Sequence, residues 1–235
     1  MIFKKKENVC IIPARGGSKR IPKKNIKIFL GKPIISYSIE AAIKSGLFDR
    51  VIVSTDSNEI ADVAIMYGAE VPFMRSANLS DDLTPTAPVL ENVISLLECG
   101  GDNISEFCCI YPTAPFVNTE YLKRGYKILK EKNCTTTFSV TTFDFTIHRA
   151  IELDENGRVK MINLENEIVR SQDLPEAYHD AGQFYWFDKD KFMESPTLLP
   201  YDCYPVPIPR KLVQDIDTLE DWEVAEHMFK AQDLG

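Results

Sequence analysis

The sequence IIPARGGSKRIPKKN, from Ile11 to Asn25, decides the fold class of this chain. A short apolar run at residues 9–12 stops at Pro13, and a turn with two adjacent glycines follows it. This order predicts a buried strand that ends in a glycine-rich loop. In an open α/β sheet, ligands bind just beyond the carboxyl ends of the strands. The loop therefore marks the expected ligand-binding edge of a sheet.

Cations surround the two glycines of this loop: Arg15, Lys19, Arg20, Lys23 and Lys24. Backbone N–H groups exposed in such a turn form a concavity suited to a chain of phosphates. A solvated surface turn has the same composition, and the spacing alone leaves both interpretations open. The segment lacks the G-x-x-x-x-G-K-[S/T] and G-x-G-x-x-G patterns, which disfavours a GTPase or a dinucleotide dehydrogenase.

Strand and helix patterns alternate along the rest of the chain. Strands are predicted at residues 50–55, 70–74, 107–111, 135–140 and 183–187, with an extended proline-rich edge segment at 204–210. Helices are predicted at residues 33–45, 56–67, 84–97, 118–130 and 218–231. This β-α-β-α order predicts a doubly wound, mostly parallel α/β sheet.

The alternation breaks near Phe143. Residues 151–162, IELDENGRVKMI, place Asn156 and Gly157 between two alternating segments, which predicts a β-hairpin with a type I′ turn. A hairpin is marginally stable alone, so it must pack against the parent domain or a second subunit. We therefore predict an α/β domain of residues 1–142 and 181–235, with an inserted arm at residues 143–180.

Asp215 and Asp217 flank Ile216 just before the last predicted helix. Residues i and i+2 of an extended segment point to the same side. Two such carboxylates can hold Mg²⁺, with water and phosphate oxygens completing the octahedron. The alternative is that Asp217 or Thr218 caps the helix, with Glu220 or Asp221 completing a capping box; both roles can coexist.

Three further segments carry polar groups at predicted strand ends. Arg75 precedes the hydroxyls of Thr84 and Thr86, which either read a nucleobase or cap the next helix. Tyr111 opens the sequence YPTAP, either a rigid loop over a crevice or an ordinary turn. The stretch RSQDLPEAYHDAGQFYW, residues 170–186, suits a polyhydroxylated anionic ligand, although a plain strand with surface polar residues also fits.

Composition limits the function classes. The chain has 235 residues with 27 Lys+Arg against 35 Asp+Glu, a net charge of −8, which argues against a nucleic-acid partner. None of the six cysteines has C-x-x-C spacing, and Cys10, Cys108 and Cys109 lie in apolar runs, so they are expected to be reduced core residues of a cytoplasmic protein with no structural zinc. The apolar run near the N-terminus is too short for a signal peptide, and no segment is expected to span a membrane.

Four motifs, in this order, resemble the acylneuraminate cytidylyltransferases, which activate nine-carbon keto sugar acids as CMP conjugates. They are IIPARGGSKRIPKKN, STD at 54–56, YPTAP at 111–115 and DIDTLEDW at 215–222. The resemblance spans nearly the whole chain. It implies a Rossmann-like nucleotidyltransferase, a homodimer whose arm reaches the neighbouring active site, and CTP and a nonulosonic acid as substrates.

The resemblance also implies roles for individual residues. The CTP site is expected to comprise Arg15, Gly16, Gly17, Ser18, Lys19, Lys24, Asn25, Arg75 and Thr86, the last two reading cytosine. Mg²⁺ is expected on Asp215 and Asp217. The residues expected to act in catalysis are Arg15, Lys19, Lys24, Asp215 and Asp217.

Two departures from the sialic-acid members lie in the expected sugar site. Those members have glutamine in place of Tyr111 and a pattern like NGAIY in place of HDAGQFYW, residues 179–186. The latter looks like the pseudaminic acid branch. An arginine common in the family is Ser171 here, one position after Arg170. The expected sugar-site residues are Tyr111, Arg170, Gln172, His179, Asp180, Gln183 and Tyr185.

The reaction implied by the resemblance joins CTP to pseudaminic acid and releases pyrophosphate. CMP-sialic or CMP-legionaminic acid synthesis is the nearest alternative. A metal-dependent glycosyltransferase of similar topology would also use paired aspartates but would release no pyrophosphate. A non-catalytic sugar-binding protein would not be expected to keep both the basic loop and the aspartate pair.

Overall fold

The computed structural model describes residues 5–232 and has a six-stranded sheet at its centre. The strands are β1 (Glu7–Pro13), β2 (Ile28–Phe29), β3 (Lys32–Pro33), β4 (Arg50–Ser54), β5 (Ile104–Ile110), β6 (Thr136–Thr142), β7 (Ile151–Leu153), β8 (Val159–Met161), β9 (Tyr178–Asp188) and β10 (Cys203–Pro207). The helices are α1 (Ile35–Ser45), α2 (Asn58–Met66), α3 (Thr86–Cys99), α4 (Thr119–Lys132), α5 (Lys189–Glu194) and α6 (Leu219–Gln232).

The large sheet has the strand order β10-β6-β9-β5-β1-β4. Strand β1 pairs in parallel with both β4 and β5, and β10 pairs in parallel with β6. Strand β9 runs antiparallel to both of its neighbours, β5 and β6. This arrangement confirms the predicted doubly wound, mostly parallel α/β sheet.

Helices cover both faces of the sheet, which explains why residues 9–12 of β1, 51–53 of β4 and 107–110 of β5 are all apolar. In β1, Cys10 and Ile12 pack in the cluster that includes α1, α2 and α4. Val9 and Ile11 pack in the cluster on the other face with α3 and Phe192 of α5. Because alternate residues of a strand point to opposite faces, each face of β1 contributes to a separate core.

Two local predictions near the N-terminal half are wrong. Pro33 lies in β3, paired with Ile28, and α1 begins only at Ile35. Residues 70–74 form no strand, since only an isolated bridge joins Glu70 to Ile52. The pairing of β3 with β2 uses the residues expected to start α1, and the apolar segment at 70–74 is too short to form a strand of its own.

The predicted hairpin is present as β7 and β8, but its turn differs from the prediction. Gly157 has a φ of 75°, whereas Asn156 is not among the described residues with positive φ, and a type I′ turn needs both. Instead, the Asp154 carboxylate accepts hydrogen bonds from the amides of Asn156 and Arg158, each at 2.8 Å. The Asp154 carboxylate thus stabilises a loop that is longer than the two-residue turn predicted from Asn156 and Gly157.

The end of the chain agrees with the predictions for an edge strand and a capped helix. Strand β10, which contains Pro205 and Pro207, forms one edge of the large sheet. The Asp221 carboxylate accepts from the Thr218 amide at 2.8 Å, and the Asp221 amide donates to the Thr218 hydroxyl at 3.2 Å, which closes the capping box. Among the helices of residues 5–232, none combines the length and the apolar character of a membrane span.

Helix α4 approaches the sheet closely at Gly125, where a Cβ atom would lie 3.0 Å from ring atoms of Phe184 and Trp186. Both rings are fully buried and cannot easily move apart. We expect Gly125→Val to lower the free energy of unfolding by about 2 kcal/mol or more, measured by urea denaturation. Lys123→Val, at an exposed position of the same helix, is the matched control and should cost less than ~1 kcal/mol. Equal stability of the two variants would contradict the close packing.

Candidate active site

A cavity of about 250 Å³ opens beyond the carboxyl ends of β1 and β5. Every residue predicted for the CTP site lines it, except Gly16 and Gly17. The predicted members that it brings together are Arg15, Ser18, Lys19, Lys24, Asn25, Arg75 and Thr86. Arg20, Tyr111 and Asp217 also line this cavity, which we call the basic cavity.

Side chains from outside the loop hold its backbone in place. The amide of Gly16 donates to the Asp56 carboxylate at 2.7 Å, so this N–H is already used within the protein. The side chain of Asn25, which is buried, donates to the Arg15 carbonyl at 2.9 Å. The loop therefore presents mainly side chains to the basic cavity. Asp56, the last residue of the STD motif, thereby positions the loop; its place just after β4, at the binding edge, is the signal for this role in the sequence.

The cations of the basic cavity form two ion-paired groups. Arg15 and Lys19 both contact the carboxylate of Asp82, the former at 2.5 Å. Arg20 contacts the Asp217 carboxylate at 2.8 Å, and the Lys24 ammonium lies 3.6 Å from the same oxygen. Residues separated by almost two hundred positions in the sequence thus meet at one cavity.

Arg75 is a buried cation in the wall of the basic cavity, with 8% of its surface exposed. Its Nε donates to the Ser54 hydroxyl at 3.1 Å, and its amide donates to the Thr55 carbonyl at 2.7 Å. Burial lowers the pKa of Arg75 to about 10, and the nearby Asp56 carboxylate opposes this shift. The guanidinium remains charged at neutral pH and can donate to acceptor oxygens of a ligand.

A second cavity, of about 510 Å³, adjoins the basic cavity and shares Tyr111 and Thr113 with it. The predicted sugar-site residues that line it are Tyr111, His179, Asp180, Gln183 and Tyr185. We call it the acidic cavity, because its described lining holds two aspartates, Asp180 and Asp215, and no lysine or arginine.

The partly buried Tyr111 and the buried Tyr185 connect the two cavities. The Tyr111 hydroxyl lies 3.3 Å from the Thr86 hydroxyl, and the Tyr185 hydroxyl donates to the Asp180 carboxylate. The rings of Tyr111 and Tyr185 pack edge to face, 5.6 Å apart. Burial raises the pKa of Tyr111 to about 12 and also raises that of Tyr185. Both phenols are neutral at physiological pH and act as hydrogen-bonding groups rather than as bases.

Gln183 lies in the acidic cavity, but its side chain serves the fold. It is 4% exposed, and its amide nitrogen donates to the Leu212 carbonyl at 2.5 Å. This bond ties β9 to the segment that leads to the aspartate pair. The residue is therefore placed where the sequence predicts it, with its nitrogen already engaged.

The aspartate pair stands where the two cavities meet: Asp217 lines the basic cavity and Asp215 lines the acidic one. Desolvation and the Asp217 carboxylate raise the pKa of Asp215, and the Lys24 ammonium opposes the increase. Residues 5–232 contain no cluster of three or more His, Cys, Asp or Glu that could hold a metal. Two carboxylates are nevertheless enough for Mg²⁺ when phosphate oxygens and water supply its other ligands.

Arg170 and Gln172, predicted for the sugar site, do not line the acidic cavity of their own chain. The Arg170 guanidinium pairs with Asp173 at 2.7 Å on the exposed surface. Gln172 lines a separate groove together with Arg210 and residues of the inserted arm. Within one chain, the structure does not bring these two side chains to the other sugar-site residues.

The sequence is similar to known proteins along most of its length. A family model described as Cytidylyltransferase matches residues 9–204. A pseudaminic acid cytidylyltransferase of Campylobacter jejuni subsp. jejuni serotype O:2 is 46% identical, with 95% of this chain and 97% of that protein covered. A CMP-N,N′-diacetyllegionaminic acid synthase of Legionella pneumophila subsp. pneumophila is 30% identical, with 94% and 96% covered.

Among solved structures, a CMP:2-keto-3-deoxy-manno-octonic acid synthetase complexed with CTP has the same fold. Its TM-score to this chain is 0.69 at 14% identity, and the match covers 96% of this chain and 99% of that one. The family match and the near full-length relatives agree with each other and with the sheet topology. The chain belongs to the cytidylyltransferase family.

Proposed function

We propose that this enzyme transfers the CMP group of CTP to pseudaminic acid and releases pyrophosphate. The observation that carries the proposal is the pair of adjoining cavities, one basic and one suited to hydroxyl and amide groups, with Asp215 and Asp217 at their junction. The 46% identity to the Campylobacter jejuni enzyme supports pseudaminic acid over the legionaminic acid named for the 30% identical relative.

In the basic cavity, the triphosphate of CTP would contact the cations of the loop. Arg15, Lys19 and Lys24 would stabilise the charge on the phosphate oxygens. Arg75 and the hydroxyl of Thr86 would contact cytosine, since both line the basic cavity and each is held in place, Arg75 by Ser54 of β4 and Thr86 by the Tyr111 hydroxyl. Transfer of this kind depends mainly on positioning and on charge stabilisation.

The covalent step exchanges one P–O bond for another. The anomeric hydroxyl oxygen of the sugar acid forms a bond to the α-phosphorus of CTP, and the bond from that phosphorus to the β-phosphate bridging oxygen breaks. Pyrophosphate leaves with that electron pair, and the hydroxyl proton passes to solvent or to a neighbouring base. The junction of the cavities is where the two reacting groups would meet.

Asp215 and Asp217 would hold Mg²⁺ at this junction, together with phosphate oxygens and water. A bound Mg²⁺ polarises the phosphate and lowers the pKa of a coordinated hydroxyl. Desolvation and the Asp217 carboxylate raise the pKa of Asp215, so the site gains stability when a cation binds. Lys24 would keep Asp217 oriented, since its ammonium also donates to the Ile216 carbonyl at 2.6 Å.

Recognition of the sugar needs groups that the acidic cavity of one chain does not supply. Its described lining has hydrogen-bond acceptors such as Asp180, but no lysine or arginine to face a sugar carboxylate. A basic side chain from the arm of a second copy, such as the exposed Arg170, would provide that charge. We therefore propose that the active form is a homodimer.

The hairpin of the arm supports this dimer. Ile151, Leu153 and Val159 occupy one face of β7 and β8 and are each more than half exposed, at 56%, 67% and 65%. On the opposite face Glu152 pairs with Lys160 at 3.2 Å. An exposed apolar face on a two-stranded sheet is stable only if another surface covers it.

We expect the double substitution Leu153→Asp with Val159→Asp to convert the dimer to a monomer, because two charges would have to be buried at the interface. Light scattering coupled to size-exclusion chromatography measures the mass directly. Turnover should fall at least about tenfold with the loss of the partner's contribution to the sugar site. Glu152→Gln, on the polar face, is the control and should remain dimeric. A dimeric double variant would reject the hairpin as the interface.

The direct test of the reaction is pyrophosphate release with CTP and a panel of nine-carbon sugar acids. We expect efficient release with pseudaminic acid and slow release with sialic and legionaminic acids. A preference for one of the latter would reassign the sugar. Absence of pyrophosphate with every sugar acid, together with consumption of a nucleotide sugar, would support a glycosyltransferase instead.

A further inference from the structure

Asp82 forms ion pairs with two cations of the basic cavity, Arg15 and Lys19. These are two of the cations that would contact the triphosphate. One carboxylate oxygen contacts the Arg15 guanidinium at 2.5 Å, and the other contacts the Lys19 ammonium. These two contacts, Lys19 first, lower the pKa of Asp82, so it is an anion at neutral pH. Asp82 itself does not line the cavity and was assigned no role by the sequence motifs.

The loop that carries Asp82 is held by polar contacts rather than by packing. The carboxylate of Asp81 accepts from the amide of Leu83 at 3.0 Å and from both the amide and the hydroxyl of Thr84 at 2.6 Å. The Leu83 side chain is 89% exposed. The chain then continues into the cavity wall at Thr84 and Thr86. The loop can therefore release Asp82 from the cations without exposing an apolar core.

We propose that Asp82 is an internal anion that competes with phosphate groups for Arg15 and Lys19, and so sets the affinity for CTP and for pyrophosphate. The inference rests on the proposed function, because it requires a triphosphate to enter the basic cavity. A phosphate that contacts either cation meets a positive charge that a carboxylate oxygen of Asp82 already partly neutralises, so the phosphate and Asp82 compete for it.

The competition weakens the binding of CTP and of pyrophosphate alike, but its consequence differs between substrate and product. CTP carries more negative charge than the single Asp82 carboxylate and is also held through its base, so it displaces Asp82. After transfer, pyrophosphate is no longer joined to the nucleoside and keeps only its contacts to the cations. Asp82 then returns to Arg15 and Lys19 and favours release of pyrophosphate. The residue acts through the two cations and does not touch the reacting atoms.

The test is the binding of CTP and of inorganic pyrophosphate to the purified protein by isothermal titration calorimetry, without sugar acid. Exposed ion pairs are individually weak, so we expect Asp82→Asn to bind both ligands roughly three- to tenfold more tightly than the wild type. The gain should shrink to less than about twofold when Lys19→Ala is also present, because one competing pair is then already absent. Inhibition of turnover by pyrophosphate should strengthen by a factor similar to that of its affinity.

Glu59→Gln is the matched control. It removes one negative charge from α2, where Glu59 pairs with Lys23 at 2.6 Å and does not contact Arg15 or Lys19. If Glu59→Gln gained as much affinity as Asp82→Asn, the gain would come only from the change in the net charge of the protein, and the proposal would be overturned. Unchanged or weaker binding by Asp82→Asn would also overturn it, since Asp82 would then only orient the cations.

The outcome separates this inference from the proposed function. If no sugar acid supports pyrophosphate release while Asp82→Asn still tightens binding of CTP and pyrophosphate, the reaction assignment fails and the competition stands. If pyrophosphate is released but the wild type and Asp82→Asn bind CTP and pyrophosphate with equal affinity, the competition fails and the reaction assignment stands.

Discussion

Replacing Asp217 with alanine should reduce kcat by roughly 10²–10³ or more, the range lost with a main electrostatic contact of a transition state. The side chain lines the basic cavity and pairs with Arg20 and Lys24, so its loss removes both a proposed Mg²⁺ ligand and the anchor of two cations. The fold should persist, since the start of α6 is held by the Asp217 amide, which donates to Asp221 at 3.0 Å. Steady-state kinetics and thermal unfolding measure the two effects.

The control for this variant is Glu220→Gln, which removes a carboxylate from the first turn of α6 outside both cavities. It should keep wild-type turnover. Calorimetric titration of CTP with and without Mg²⁺ adds a readout that does not depend on turnover. A fully active Asp217→Ala enzyme, or one whose CTP binding still responds to Mg²⁺ as in the wild type, would remove the metal role from this residue.

Lys24→Ala should lower kcat/KM for CTP by about 10²-fold or more, which is the second largest effect we expect. The ammonium joins the glycine loop to the aspartate segment through the Ile216 carbonyl at 2.6 Å and faces the Asp217 carboxylate at 3.6 Å. Its loss removes a charge from the phosphates and also frees the segment that carries the aspartates. Initial rates at varied CTP concentration measure the change.

The adjacent lysine provides an unusually close control. Lys23 lies one residue earlier and pairs with Glu59 outside the basic cavity. Lys23→Ala removes the same charge and the same side-chain type, yet we expect less than about a threefold change in kcat/KM. Similar losses in both variants would mean that the loop acts only through its total charge, and the specific role of Lys24 would be rejected.

Local patterns in the sequence were sufficient for the fold class and for most of the elements. β1 and β5 are apolar because helices cover both faces of the sheet, and this pattern predicts central strands. Glycine and proline had the expected positions: α1 ends at Gly46, whose φ is 66°, and the proline-rich strand β10 lies at the edge of the sheet. Where the prediction failed, as at the turn after Asp154, a side-chain hydrogen bond outweighed the intrinsic preference of the turn residues.

The residues of the site could be predicted from the sequence, but the side chains that they contact could be predicted less well. The motifs placed Arg15, Lys24 and Arg75 in one site, and the structure places them around one cavity. The same motifs did not indicate that Asp56 would bind the Gly16 amide or that Asp82 would cover Arg15. These partners lie 40 and 67 positions away along the chain, and no local period relates them.

From its order of residues alone, the chain could be assigned a mostly parallel α/β sheet, a basic glycine loop and a pair of aspartates, because periodicity and turn chemistry act over a few neighbours. Only the folded molecule decided which of these features meet. Ile216 and Trp222 pack in one cluster with Ile21 and Phe29, which brings the segment before α6 beside the loop after β1, so that Arg20 and Lys24 reach Asp217. Such contacts depend on how distant elements pack, and packing is a property of the whole sheet and its helices.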